Sequence, residues 1–158
     1  MPRPRRAPLA IAVLTLSLGL TACGQTVSLE AAPEADDPLC AEVSVRLPAV
    51  VDGKERRWTD AQATGAWGSP TAVIVTCGVE PPGPTTLPCQ SVDGVDWIID
   101  DADAPRYLVT SFGRTPAVEI YLDNDAETGV SSAAVLEAIS PAVATLPVDG
   151  VCTDRPAG

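Results

Sequence analysis

Four cysteines downstream of an apolar N-terminal run constrain this chain more than any other feature. Cys40, Cys77, Cys89 and Cys152 form an even set, which in an oxidising compartment reads as a disulfide framework. Three pairings are open. Cys77–Cys89 would clip only the proline-rich stretch between them. Cys40–Cys77 with Cys89–Cys152 would tie a first helix to a central strand and the C-terminal tail to a loop. Each closure is worth about 3–4 kcal/mol in the chain-entropy treatment. With three Trp, two Tyr and one Phe, the core has to be built mainly from Val, Ile, Leu and Ala, and staples would help so modest a core. Zinc is the competing use of the sulfurs. There is no CxxC pair and no histidine, so neither a metal nor a cofactor is expected.

The compartment is read from the N-terminus. Arg3, Arg5 and Arg6 precede a run of almost entirely Ala, Leu, Ile and Val, which ends in Leu20-Thr21-Ala22-Cys23. That run is too short for a spanning helix, which needs about 20 residues, and its basic flank and small-residue end fit a signal peptide. Leu, a small residue and Cys at these spacings form a lipobox. Residues 1–22 are therefore expected to be a lipoprotein signal, with Cys23 carrying diacylglycerol and holding the protein on the extracytoplasmic face of the cell membrane. Arg5-Arg6 followed by Ala-Pro-Leu is a poor twin-arginine match, which favours general secretion. Residues 23–37 are acidic and without periodicity. They are expected to be the lipidated N-terminus and a flexible tether reaching about 20 Å by random-coil scaling.

Removing the leader leaves seven basic residues against 21 acidic ones, a formal charge of −14. Such a balance argues against nucleic acid and against electrostatic adhesion to anionic lipid. It suits a solvated envelope protein, a cation binder or a protein with a basic partner.

Residues 38–158 are long enough for a single domain. Asp37-Pro38 supplies an N-cap and a first-turn proline, and Leu39, Val43, Leu47 and Val50 follow at helical spacing until Pro48 ends or kinks the helix. Residues 51–70 read as loop. Residues 71–77 are a continuous β-branched run, as expected of a central strand covered on both faces. Four prolines and a glycine between 80 and 88 demand a loop. Asp93-Gly94 between Val92 and Val95 is a hairpin signal, and Val95, Trp97 and Ile99 alternate with Asp96, Ile98 and Asp100. Further strands cover 106–112 and 117–122. A helix over 130–145 presents Val135, Leu136, Ile139 and Val143, with Pro141 limiting its end. The order α-β-β-β-β-α predicts an α+β fold: a two-layer, disulfide-braced domain in which an antiparallel sheet of about four strands carries two helices on one face.

These segments resemble the actinobacterial secreted lipoproteins of domain-of-unknown-function family 3515 over about residues 40–145. The likeness rests on Leu47-Pro48, Val51-Asp52-Gly53, Arg56-Arg57, Ala66-Trp67-Gly68-Ser69-Pro70, Cys77-Gly78-Val79 with Pro81, Val92-Asp93-Gly94-Val95-Asp96-Trp97, and Phe112-Gly113-Arg114 with Pro116-Ala117-Val118-Glu119. Singly these are weak; in this order they are specific. The resemblance implies an envelope lipoprotein with no assigned activity. It also implies Cys40–Cys77 as one bridge, hence Cys89–Cys152 as the other. Thr76 stands where the family is usually basic, which speaks against a positive site there.

The absence of histidine removes Ser-His-Asp and Cys-His catalysis, and Lys54, the only lysine, lies in a highly charged stretch ill suited to a Ser-Lys dyad. Asp93, Asp96, Asp100, Asp101 and Asp103 could act as carboxylate pairs on glycans, but alternation splits them between faces. Residues 123–129 place oxygens at alternating positions as calcium loops do, yet glycine falls seventh and the twelfth residue is Ala134, unlike an EF-hand. Trp67, Trp97 and Arg114 form the candidate binding surface, for peptide or glycan. Against this, Trp97 between Val95 and Ile99 has the pattern of a core residue, and Arg114 at a turn that of a solvated one. The proline-rich loop before Cys89 is a second candidate surface. The leading expectation is thus a non-enzymatic binding or accessory module of the envelope, partnered by the membrane through its anchor and by an envelope protein, with no nucleic acid. The alternative is a small-ligand or glycan-binding lipoprotein, with carboxylate hydrolase activity as a further possibility.

Overall fold

The computed structural model describes residues 26–127 and 129–153; the leader and Cys23 lie outside them. Among the described residues the elements are α1 (Pro38–Arg46), β1 (Val50–Val51), β2 (Lys54–Arg57), β3 (Thr64–Trp67), β4 (Val73–Val79), β5 (Cys89–Val92), β6 (Val95–Asp100), β7 (Arg106–Phe112), β8 (Ala117–Asp123) and α2 (Ser132–Val143). All strands pair antiparallel in one sheet of order β1-β2-β3-β4-β8-β7-β6-β5. Two meanders meet at β4 and β8, whose register runs from Val73↔Leu122 to Val79↔Ala117 with a bulge between Cys77 and Val79.

The expected two-layer domain with about four strands is not what forms. The sheet has eight strands, and four of them lie where sequence pattern is weakest. β2 is Lys-Glu-Arg-Arg, with no apolar alternation, and β3 contains Gly65 and Ala66. β1 has two residues, and β5 is an exposed edge. The signal that does mark the first pair is Asp52-Gly53 at φ 44° and 73°, matching Asp93-Gly94 at 47° and 77°. Both are hairpin turns with two positive φ values. The first is followed by charges instead of apolar residues, so its strands read as loop. Proline 141 sits inside the last turns of α2 instead of ending it. Pro141 and Glu137, the residue whose carbonyl loses its partner, are both solvent-exposed, so water serves the carbonyl that Pro141 cannot.

The core lies between one face of the sheet and both helices. Val73 and Val75 of β4, Ile120 and Leu122 of β8, Val43 of α1, and Val135, Ile139 and Val143 of α2 are fully buried. α2 touches β1 and β5, the two sheet edges, as well as β8. The sheet therefore curls around this helix, in keeping with the twist of long sheets. α1 starts as its sequence requires: the Asp37 side chain accepts from Leu39 N–H at 2.8 Å, and Leu47 turns extended before Pro48. β4 is central but is not covered on both faces. Its Val73, Val75 and Cys77 are buried, whereas Ile74 and Thr76 on the other side are half-buried.

Residues 26–37, expected as a flexible tether, are docked on the domain. Val27 bridges Thr59 in parallel, donates its N–H to Trp58 O at 2.8 Å and accepts from Asp60 N–H at 3.3 Å. The Asp60 carboxylate accepts from Ser28 Oγ at 2.7 Å and Leu29 N–H at 2.9 Å. Those two bonds pull the Asp60 pKa down, so their contribution is present above the ordinary Asp range and is lost as pH falls through the depressed value. Farther along, Glu34 N–H reaches Gly78 O at 3.0 Å. A Cβ on Gly78, at φ +99°, would collide with the Glu34–Ala35 backbone, so only glycine lets the segment cross β4 here. Composition hid this docking, because its bonds are mostly backbone and polar.

Cys40 is joined to Cys77, pinning α1 to β4, and Cys89 to Cys152, pinning the tail to β5. This is the pairing the resemblance implies. Closing 37 and 63 residues is worth about 4 kcal/mol each. Deeper in, Trp97 Nε1–H donates to Ser140 Oγ at 3.0 Å, with both residues at zero exposure. Ser140→Ala should strand that indole N–H and cost about 1–3 kcal/mol, measured as a lower urea midpoint at unchanged slope.

Candidate functional site

Opposite the helices, the sheet presents a second face whose composition follows from strand alternation. Register places Ile74, Tyr121, Leu108 and Asp100 in one row across β4, β8, β7 and β6. The next row is Thr76, Glu119, Thr110, Ile98 and Cys89. Most of these side chains are half-buried, and Leu108 is exposed. Glu119 lies mid-sheet between two threonines, and burial pushes its carboxyl above the usual range.

At the β5–β6–β7 end this face is partly roofed. The proline-rich loop and the tail close over Ile98 and Phe112 to leave a cleft of about 530 Å³, whose walls include Leu87, Pro88, Val151 and the Cys89–Cys152 disulfide. Ile98 is consequently 7 % exposed although it points away from the helices. Cys152 N–H donates to Asp96 Oδ2 at 2.7 Å, and Asp149 N–H to Gly113 O at 2.7 Å. At Gly113, φ +64°, any Cβ would run into Gly150. The tail is therefore fixed against the sheet by a disulfide, a side-chain bond and a backbone close approach. Among the described residues Cys89, Asp96 and Cys152 are the cluster of metal-ligating types, but both sulfurs are spent in the disulfide.

The residues expected to form a binding surface do not form one. Trp67 and Trp97 have zero exposure and Arg114 3 %. Trp67 Nε1–H donates to Pro48 O at 3.1 Å beneath the Arg56 guanidinium, 5.7 Å from the ring centroid. Arg114, expected in solvent, donates to Leu146 O at 2.5 Å and Gly94 O at 2.7 Å. Burial lowers its pKa and the Asp96 carboxylate raises it again. All three are internal clamps. A turn of glycine and arginine reads as polar surface in one dimension, and only the fold shows the carbonyls it closes over.

Among the remaining candidates, Asp93, Asp101 and Asp103 are exposed, and others serve their own turns. Asp100 Oδ1 accepts from Ala102 N–H at 3.0 Å. In the loop after β8, Asp123 Oδ1 accepts from Asp125 N–H at 3.0 Å and Asp125 Oδ1 from Glu127 N–H at 2.9 Å. These carboxylates cap their own turns.

A family model for proteins of unknown function (DUF3515) matches residues 7–148. The chain belongs to this family. No curated protein and no solved structure is found to match it. The segments that carry the DUF3515 resemblance converge on two structural nodes. In one, Arg56 donates to Leu47 O at 3.2 Å and Arg57 to Gly68 O at 3.2 Å around Trp67. In the other, Asp96, Gly113 and Arg114 bind the segment after α2, with Arg114 also donating to Gly94 O. The DUF3515 motifs thus account for architecture, while the cleft is lined by residues outside most of them.

Leu87, Ile98, Phe112 and Val151 were not singled out as site residues from sequence. The loop that contributes Leu87 was, through its prolines and Cys89. Glu119 offers a test of the exposed face. Because its pKa is raised, the folded state favours the protonated form. That preference is harmless below the ordinary Glu range of about 4.3 and becomes a penalty as pH rises through the raised value. Glu119→Gln should raise the thermal midpoint near neutral pH and leave it unchanged in acid, as read by calorimetry across pH.

Proposed function

We propose that this DUF3515 protein is a non-enzymatic binding module, anchored through Cys23 on the extracytoplasmic face of the cell membrane, whose cleft receives an uncharged segment of an envelope protein. The observation that carries this reading is the chemistry of the cleft lining. Ile98, Phe112, Leu87, Pro88 and Val151 contribute apolar surface, threonines the polar rim, and no side chain there titrates, the two cysteines being bonded to each other. An acid–base or nucleophilic mechanism has no charged group to work with in such a place. A braced concavity of mixed lining, apolar side chains beside threonines and loop backbone, instead meets a partner with its ordering cost already met. β5 beside it is a short sheet edge, to which an extended partner segment can add backbone hydrogen bonds.

Anchoring is supported by the lipobox at Cys23 and the basic, apolar run before it. No helix among the described residues is long and apolar enough to cross a membrane. Lipidation of one cysteine with two or three acyl chains gives stable attachment. Cys23→Ala should move the protein from the membrane to the soluble fraction on cell fractionation; unchanged sedimentation would refute the anchor.

The cleft is tested separately. A photo-crosslinking residue at Val151, 64 % exposed at the rim, should give one discrete adduct on intact cells. The same probe at Val45, 79 % exposed on α1, should not. Leu87→Glu should abolish the Val151 adduct. Equal labelling from both positions, or none from Val151, would overturn the reading. A second reading is favoured by volume alone, since about 530 Å³ lies within the usual range of small-molecule sites, about 300–1,000 Å³. It predicts ligand-dependent protection of the cleft with no protein adduct.

A further inference from the structure

Trp58 is the exception among the aromatic residues of this chain. It is 82 % exposed, whereas Trp67 and Trp97 are fully buried and Tyr107, Phe112 and Tyr121 are half-buried. A single exposed apolar side chain is ordinary on a protein surface. What sets this one apart is where the chain outside the described residues leaves the domain. Trp58 O accepts the Val27 N–H at 2.8 Å, Thr59 bridges Val27, and Asp60 holds Ser28 and Leu29. Cys23 is four residues before Val27, and four residues extend at most about 14 Å. A lipid on Cys23 therefore keeps its attachment point within about 14 Å of Val27 and the β2–β3 connection, close enough for an exposed indole there to meet the bilayer surface.

Charge is arranged in the same sense. Of the seven basic residues after Cys23, Lys54, Arg56 and Arg57 lie on β2 immediately before Trp58, and Arg46 ends α1. α1 abuts β2, because Arg56 donates to Leu47 O at 3.2 Å and to Ser44 O at 3.4 Å. Arg46 pairs with Glu42 at 3.4 Å, and Glu55 and Asp60 offset two more of these charges, so the corner is close to neutral. In a chain of formal charge −14 after the leader, a near-neutral corner is one that anionic lipid repels weakly. Tryptophan is the side chain best suited to the headgroup zone, with its apolar ring and one N–H donor.

We propose that Trp58 inserts into the interfacial zone of the bilayer that carries the Cys23 anchor, so that the domain rests on the membrane by the β2–β3 connection in one orientation. The proposal rests on the lipid-anchor reading above, and the experiment separates the two. The native protein, purified from membranes, is placed in vesicles of phosphatidylcholine and phosphatidylglycerol whose acyl chains are brominated near their carbonyl ends. The mass of the Cys23 peptide is measured on the same sample. The expected result is an acylated Cys23 peptide, a blue-shifted emission component quenched by the brominated lipid, and loss of that component in Trp58→Ala. Trp67 and Trp97, buried in the core, supply an unquenched signal that reports an intact fold in both proteins. An acylated Cys23 with Trp58 quenched by aqueous iodide and not by bromolipid would overturn the insertion and leave the anchor standing. Quenching that persists in Trp58→Ala would overturn it too. An unacylated Cys23 would sink both.

Discussion

A buried indole has to give its N–H a new acceptor or lose the hydrogen bond it made with water, and the two core tryptophans find theirs on the two helical segments. Trp67, on β3, donates to the carbonyl of Pro48 just beyond α1, and Trp97, on β6, to Ser140 within α2. Each bond spans the core and fixes one helical segment against one half of the sheet. With no other large aromatic fully buried, these two rings set the spacing that the aliphatic side chains fill. The disulfides repeat the same division: Cys40–Cys77 holds α1 to β4, and Cys89–Cys152 holds the tail to β5. The curl of eight strands around α2 is the shape left when both halves are tied inward.

Where side-chain period and capping chemistry were strong, the fold was legible. Asp37-Pro38 opened α1, Asp93-Gly94 turned the β5–β6 hairpin, and alternation in β6 and β8 placed Trp97, Ile120 and Leu122 toward the core. Half the strands were not legible, for a physical reason. An edge or a short strand is held by backbone bonds and cross-strand neighbours, not by an apolar pattern of its own, and Lys54-Glu55-Arg56-Arg57 looks like solvated loop until Trp67 is seen beneath Arg56. The same blindness affected the site. Trp67, Trp97 and Arg114 are chemically suited to recognition, and each is used internally because its donors meet carbonyls or a hydroxyl that are far away in sequence. Ile98 was assigned to the right face of its strand. The Cys89–Cys152 pairing implied by the resemblance tied the tail to the loop, but a pairing does not say which face of the sheet the two will roof.

The uncovered sheet face then requires its own explanation, since apolar strands usually bury both sides or keep one side polar. Here the strip is mixed: Ile74, Tyr121 and Leu108 alternate with Thr76, Thr110, Glu119 and Asp100. Such a surface stays soluble. Its apolar character rises only toward β6 and β5, where the proline-rich loop and the tail gather Ile98, Phe112 and Leu87 into the cleft. The concavity at this end of the sheet mixes apolar side chains with threonines and backbone, and carboxylates and cations stay off its wall.

The N-terminal segment changes how the molecule presents that end. A flexible tether would let the domain tumble at some 20 Å from the lipid. A segment bonded to Trp58 and Asp60 would not, because only four positions separate Val27 from the proposed anchor at Cys23. The separation between the β2–β3 connection and the cleft is set by the width of the sheet. From β3 to β6 there are four strand spacings, about 20 Å along the sheet at about 4.8 Å each. The β2–β3 connection and the cleft thus lie toward opposite edges of one rigid hydrogen-bonded layer. On the proposed anchoring at the first, the second would be held a fixed distance along the sheet, without relying on a linker whose length fluctuates.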